Sequence, residues 1–97
     1  MADVLAPDAL DHELDRLDGW SGATGGISKT YSFADFAEAM RFVNAVADLA
    51  EQADHHPDIS ISWNEVVLTY VTHSAGGVTG ADVEQARRVD AEAAGPA

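Results

Sequence analysis

The chain has 97 residues, 46% of them hydrophobic, with five basic residues against seventeen acidic ones and a formal net charge of −12. That length suits one domain around one modest core, which oligomerisation would support, and the hydrophobic content argues against a disordered chain. The acidic balance repels phosphate backbones, so neither nucleic acid nor an anionic membrane is an expected partner; solubility is the plain reading of it. There is no cysteine, which excludes disulfides and thiolate chemistry and leaves the redox compartment open. No apolar run approaches a membrane span. Residues 1–7 lack the basic and apolar regions of a signal peptide, which makes the cytoplasm the expected location.

In chain order, residues 1–6 read as a short tail. Pro7 and Asp8 open a helix, since proline suits a first turn and an early acid opposes the helix dipole. Leu10, Leu14 and Leu17 fall on one stripe of it, and Asp18-Gly19 ends it. Residues 20–33 read as two short strands around a glycine-containing loop at 21–26. The second strand alternates Ile27, Lys29, Tyr31 and Phe33 with Ser28, Thr30 and Ser32, and the mixed first set leaves open which side is buried.

The strongest helix is expected over about 33–53, with Ser32 as N-cap and Asp35 three residues later, as in a capping box with a shorter acid. Two apolar stripes run along it: Phe36, Met40, Val43, Ala47 and Ala50, and Ala39, Phe42, Val46, Leu49 and Ala53. One stripe is enough for a surface helix on a small domain, so the second predicts another packing partner, a second subunit. Residues 58–72 read as a hairpin in which Ile59, Ile61 and Trp63 alternate with serines, and Val66, Leu68 and Tyr70 with Val67, Thr69 and Val71. Its expected turn is Asn64-Glu65, because asparagine tolerates positive φ. Ala75-Gly76-Gly77 breaks the last strand. Thr79 caps a final helix with Asp82 at its third position, and that helix fades into a tail at about 91–97. With no repeat and no linker, the chain reads as one domain over 1–97. The order α-β-β-α-β-β-α implies an α+β fold with a four-stranded antiparallel sheet and helices on one face.

Chemistry gathers at one junction. His55 and His56 follow the long helix, and Pro57 forbids its regular continuation and pushes the preceding residue towards extended geometry. His73 ends the last strand, just before the glycines, and strand ends hold functional groups over a scaffold. Glu51 sits one helical turn before His55, so the two can share a face. Histidine suits proton transfer near neutrality, and two histidines from separate elements supply one acid and one base. Each residue also has a plainer reading. The pair can be exposed turn residues, His73 a surface residue, Glu51 a solvated charge, Asp82 a cap, and Trp63 core or pocket wall; His12 reads as exposed and irrelevant. Three histidines and a glutamate could also ligate zinc. Adjacent histidines in an extended segment point apart, however, and no His-Glu-x-x-His motif is present, so no metal is expected.

Taken together, Glu51-x-x-x-His55-His56-Pro57, then Trp63, His73 and Asp82 at these spacings, resemble the signature of the pterin-4a-carbinolamine dehydratases. Gly19-Trp20, Phe33-x-Asp35-Phe36 and Asp54 add to the resemblance, which covers about residues 10–90. It implies a four-stranded antiparallel sheet with helices on one face, and assembly as a homodimer or homotetramer through the helix at about 33–53. It implies removal of water from 4a-hydroxytetrahydrobiopterin to give quinonoid dihydrobiopterin, without metal or organic cofactor. The reaction serves recycling of the cofactor of aromatic amino acid hydroxylases, which makes such a hydroxylase a pathway partner. By resemblance, His55 is the leading acid/base group, His73 a second one and His56 a residue that positions the pterin. Glu51, Asp54, Trp63, Thr72 and Asp82 are carried over as substrate-binding residues. Relatives that bind a homeodomain transcription factor, or that act in assembly of carbon-fixation enzymes, offer a rival reading as an interaction module. The latter have usually lost the catalytic histidines, and all three are present here.

Overall fold

The structure, a computed structural model, describes residues 3–94. Helix α1 (Pro7–Leu14) precedes strands β1 (Ser21–Ala23) and β2 (Gly26–Ser32); helix α2 (Phe36–Ala53), strands β3 (Asp58–Ser62) and β4 (Glu65–Tyr70), and helix α3 (Gly80–Ala94) follow. The expected α+β order is therefore observed. All pairings are antiparallel and the sheet order is β1-β2-β4-β3. Strand β4 lies inside the sheet, with Ile27 opposite Tyr70 on one side and Ile59 opposite Leu68 on the other. Strand β3 is an edge.

Alternation decides the layers. Val66, Leu68 and Tyr70 of β4 and Ile27 and Tyr31 of β2 are buried in one cluster with Ala39, Phe42 and Val46 of α2 and Val83, Ala86 and Val89 of α3. This settles the side of β2 that the sequence left open: the Ile27/Tyr31 side is buried. Fully burying a side chain of the size of Leu68 or Val46 contributes roughly 1.5–3 kcal/mol. Of the two apolar stripes on α2, the one with Ala39, Phe42 and Val46 faces this core, joined by Ala50. The other is only partly covered, and its Phe36 stays 51% exposed. No helix among the described residues is long and apolar enough to cross a membrane.

Several local expectations need correction. Helix α1 stops at Leu14, and Leu17 reaches the core through a turn in which its N–H meets the Leu14 carbonyl at 3.1 Å. The loop expected at 21–26 is mostly strand: β1 begins at Ser21 and the turn narrows to Thr24-Gly25. Ser32 is not the cap of α2, because it still pairs with Glu65 in the sheet. Asp35 takes that place, its Oδ1 accepting the Glu38 N–H at 2.8 Å. The hairpin turns at Trp63-Asn64, with positive φ at Trp63 (50°) rather than at Asn64. Asn64 is held instead by Phe33: its Nδ2 donates to the Phe33 carbonyl at 2.8 Å, and the Phe33 N–H donates back at 2.9 Å. Nor are the described parts of the expected tails free; the rest of those tails, 1–2 and 95–97, lies outside the described residues. Val4 bridges Thr79, the Leu5 N–H donates to the Val78 carbonyl at 2.8 Å, and α3 continues to Ala94.

Candidate active site

Helix α2 ends in a way that separates the two adjacent histidines. Asp54 adopts the left-handed conformation (φ 50°, ψ 44°). Its N–H then meets the Glu51 carbonyl at 3.3 Å, and the His55 N–H reaches back to the Ala50 carbonyl at 3.0 Å. That pair of bonds is the Schellman arrangement, which satisfies carbonyls the helix end would leave open; aspartate is one of the few side chains that tolerate it. The chain leaves extended through Pro57. Successive side chains therefore point opposite ways, with the His55 side chain 16% exposed and that of His56 57% exposed.

His55 points at the start of α3. Its Nε2 lies 2.5 Å from Oδ1 of Asp82, which is wholly buried. The other carboxylate oxygen of Asp82 accepts the Thr79 N–H and the Thr72 hydroxyl, each at 2.8 Å. The sequence reading of Thr79 as cap and Asp82 as its third-position acid is thus observed, but the same carboxylate also holds a histidine. A carboxylate can only accept, so the proton shared with it sits on Nε2 and the Nδ1 of neutral His55 carries a lone pair. The Tyr70 ring lies beside the imidazole, with centroids 5.9 Å apart and planes 22° apart. Burial, helped by the charge of Asp82, pushes the Tyr70 hydroxyl up to about 12, and that hydroxyl has no hydrogen-bond partner among the described residues.

Thr72 and Thr79 meet because the chain folds back after β4. Thr72 and Gly77 form an isolated antiparallel bridge around the turn at 73–76. Gly76 takes φ 85° there. A side chain at Gly77 would strike the Thr24 carbonyl at 2.8 Å and Val4 at 2.9 Å, so only glycine fits. His73 is the first residue of this turn and is exposed. It adjoins Thr72, and hence the Asp82 cluster.

The remaining sites fall differently from expectation. Glu51 does not pair with His55; it accepts from His56, Nε2 to Oε2 at 2.5 Å, on an exposed surface. Asp54 acts through its backbone at the helix end. Asp82 is sealed from solvent and holds His55, and the Thr72 hydroxyl is engaged by Asp82 rather than left free. Trp63 is 68% exposed rather than core or pocket wall. It sits at the far tip of the β3–β4 hairpin, roughly 17 Å of strand away from the histidines. Among the described residues no three His, Asp or Glu side chains group as a metal set. Cavities of about 290 Å³, beside Phe33, Arg41 and Phe42, and about 150 Å³, beside Leu10 and Gly22, both lie apart from the histidines.

Sequence reasoning missed a second cluster. One carboxylate, Asp90, accepts from the indole N–H of Trp20 (3.1 Å), from Lys29 Nζ (3.0 Å) and from the Tyr31 hydroxyl. Burial and the Asp90 charge drive the Tyr31 hydroxyl far above its ordinary range. The signal was the placement of Lys29 on the same strand face as Ile27 and Tyr31: a cation there needs an acid from the covering helix.

The chain as a whole has known relatives. The family model described as pterin 4 alpha carbinolamine dehydratase matches residues 3–92. Relatives bearing that family name occur in Thermosynechococcus vestitus, 42% identical over 90% of this chain and 92% of that one, and in Koribacter versatilis, 44% identical over 93% and 96%. The crystal structure of a transcriptional coactivator/pterin dehydratase from Brucella melitensis superposes with a TM-score of 0.90 at 35% identity, covering 94% of this chain and 99% of that one. A pterin dehydratase-like RuBisCO assembly factor of the alpha-carboxysome is more distant, with a TM-score of 0.64 at 29% identity over 80% and 89%. The chain belongs to the pterin-4a-carbinolamine dehydratase family.

Proposed function

We propose that this protein dehydrates 4a-hydroxytetrahydrobiopterin to the quinonoid dihydropterin, with His55 as the principal acid/base group. The observation that carries the reading is the His55–Asp82 pair: a partly exposed imidazole whose Nε2 is held by a buried carboxylate. Its Nδ1 is left to face a substrate. The 4a-hydroxyl leaves as water once protonated, while the adjacent ring nitrogen forms the new double bond to carbon with its lone pair and gives up its proton. One acid and one base near neutrality suffice for both transfers. His55 works through Nδ1, protonated as an acid or neutral as a base. His73, on the neighbouring turn, supplies the second proton transfer, and His56, oriented by Glu51, positions the pterin.

The assembly we propose is a homodimer or homotetramer. The partly covered stripe of α2, with Phe36 exposed, supports the helix as one contact. Ile59, Ile61 and Trp63 on and beside the edge strand are also exposed and apolar, and strand edges of this kind are ordinarily covered.

The test is the rate of quinonoid dihydropterin formation from freshly generated 4a-hydroxytetrahydrobiopterin, with and without protein, after chelator treatment. Acceleration that survives the chelator is expected. Folded, oligomeric protein that leaves the spontaneous rate unchanged would refute the reading and favour an interaction role instead.

A further inference from the structure

Asp82 is held in a hydrogen-bond chain with a fixed direction. The Ala81 N–H donates to the Thr79 hydroxyl oxygen at 3.2 Å. That hydroxyl and the hydroxyl of Thr72 are 2.9 Å apart, and the Thr72 hydroxyl lies 2.8 Å from Oδ2 of Asp82. Only one order satisfies every partner. A carboxylate cannot donate, so the Thr72 proton goes to Asp82. The Thr72 oxygen is then left to accept, and the Thr79 proton goes to it. On its far side Asp82 receives the Nε2–H of His55 at 2.5 Å. The chain therefore runs from the first turn of α3 through Thr79 and Thr72 to Asp82, where the imidazole donates from the other side. Thr79 and Asp82 are both wholly buried, and Thr72 between them is partly buried. A helix cap alone would need only the Thr79 oxygen as acceptor. The proton that Thr79 passes on to Thr72 contributes nothing to capping, and its one destination leads to His55.

We propose that Thr79 is a positioning residue for the dehydration, in addition to capping α3. Its hydroxyl proton orients Thr72, which with the Thr79 N–H pins Oδ2 of Asp82 and leaves Oδ1 aimed at His55. This rests on the assignment of His55 as the acid/base group. Loss of the hydroxyl frees Thr72 to rotate, loosens the carboxylate and lets the imidazole leave its working orientation. Because Thr79 reaches no solvent, the substrate does not touch it. Its effect belongs in kcat rather than in KM.

Three variants test this: Thr79→Val, which keeps shape and removes the hydroxyl; Thr79→Ser, which restores it; and Asp35→Ala, which removes the cap of α2 far from the histidines. Thr79→Val is expected to lower kcat roughly five- to tenfold, the scale of one modest hydrogen bond, with KM within about twofold. Thr79→Ser should return kcat to within about twofold of the wild type, and Asp35→Ala should lose stability while keeping kcat. In proton NMR spectra the His55 Nε2–H resonance should move or broaden in Thr79→Val and stay in place in the other two. Unchanged kcat in Thr79→Val, a loss that serine does not restore, a parallel loss in Asp35→Ala, or an unmoved His55 resonance would each overturn the proposal. If the wild-type protein itself fails to accelerate dehydration, the assigned reaction is wrong, and the resonance alone still decides whether Thr79 governs His55.

Discussion

Replacing Asp82 with asparagine separates the catalytic service we assign to it from its structural one. The amide is nearly the shape of the carboxylate but has one oxygen. That oxygen is drawn to the side where two donors converge, the Thr79 N–H and the Thr72 hydroxyl, both at 2.8 Å. The amide NH2 must then face His55 Nε2 across a contact of 2.5 Å in the wild type. Two donors cannot meet, so the imidazole proton moves to Nδ1, and the lone pair that we assign to the substrate turns inward. Histidine acid/base catalysis is typically worth about 10²–10⁴-fold, and forcing the wrong tautomer forfeits most of it. The predicted loss in kcat is at least about a hundredfold. The fold suffers far less, because the cap oxygen survives: losing one charge-assisted bond costs about 1–2 kcal/mol, or roughly 4–16 °C in Tm for a domain of this size. Asp82→Ala would cost more, about 2–4 kcal/mol, since the buried Thr79 N–H then has no acceptor. The assay is quinonoid dihydropterin formation alongside thermal melts of the same preparations. Asp82→Asn with kcat within threefold of the wild type would refute the tautomer argument.

The double variant His55→Ala/His73→Ala is expected to lower turnover by about two orders of magnitude or more while circular dichroism stays native; near-normal turnover would reject both assignments. Asp90→Ala strips the acceptor from Trp20 and Tyr31, which are 5% and 7% exposed. Two buried donors without partners should cost about 2–5 kcal/mol in urea unfolding, and a cost below about 1 kcal/mol would show that water replaces the carboxylate. Tyr70→Phe removes a buried hydroxyl that has no partner among the described residues, so stability at pH 7 should hold or rise. Tyr70 also sets an alkaline limit. Its folded-state value of about 12 lies above the ordinary tyrosine value of 10.0, so its contribution is intact below about pH 10 and is lost as pH rises towards 12. Alkaline unfolding in that window should be less steep in Tyr70→Phe; an identical profile would assign it to Tyr31 and other groups.

The fold was legible because its signals are periodic and local. Alternation in β4 and the 3.6-residue stripe of α2 each reflect one buried face, and they placed the core strands and the long helix where they are found. Errors came where a tertiary contact outweighed a local preference. Asn64 suits positive φ, but its side chain and backbone are both spent on Phe33, so Trp63 takes that conformation. Ser32 would cap a helix well, but sheet pairing with Glu65 holds it in β2. Glu51 is one turn from His55, yet the left-handed Asp54 rotates the chain so that His56 comes to Glu51 instead. At the candidate site, the sequence marked His55, Thr72, Thr79 and Asp82 one by one but not how they connect. Spacing along the chain does not reveal that Thr72, Thr79, Asp82 and His55 form one network, because Thr72 and Thr79 meet only through the Thr72–Gly77 bridge.

That network explains how so small a domain maintains a buried carboxylate beside a partly exposed histidine. An isolated buried charge is costly unless hydrogen bonds replace the water it loses. Asp82 draws one of those bonds, the Thr79 N–H, from the start of α3, a feature the helix needs for its own stability, and a second from the Thr72 hydroxyl. The favourable end of the helix dipole adds to them. Holding His55 therefore requires little structure beyond what already starts the helix. The same economy couples two properties that are separate in larger enzymes: a substitution that weakens the start of α3 through Thr79 or Asp82 should disturb catalysis with stability, whereas weakening the start of α2 through Asp35 should affect stability alone.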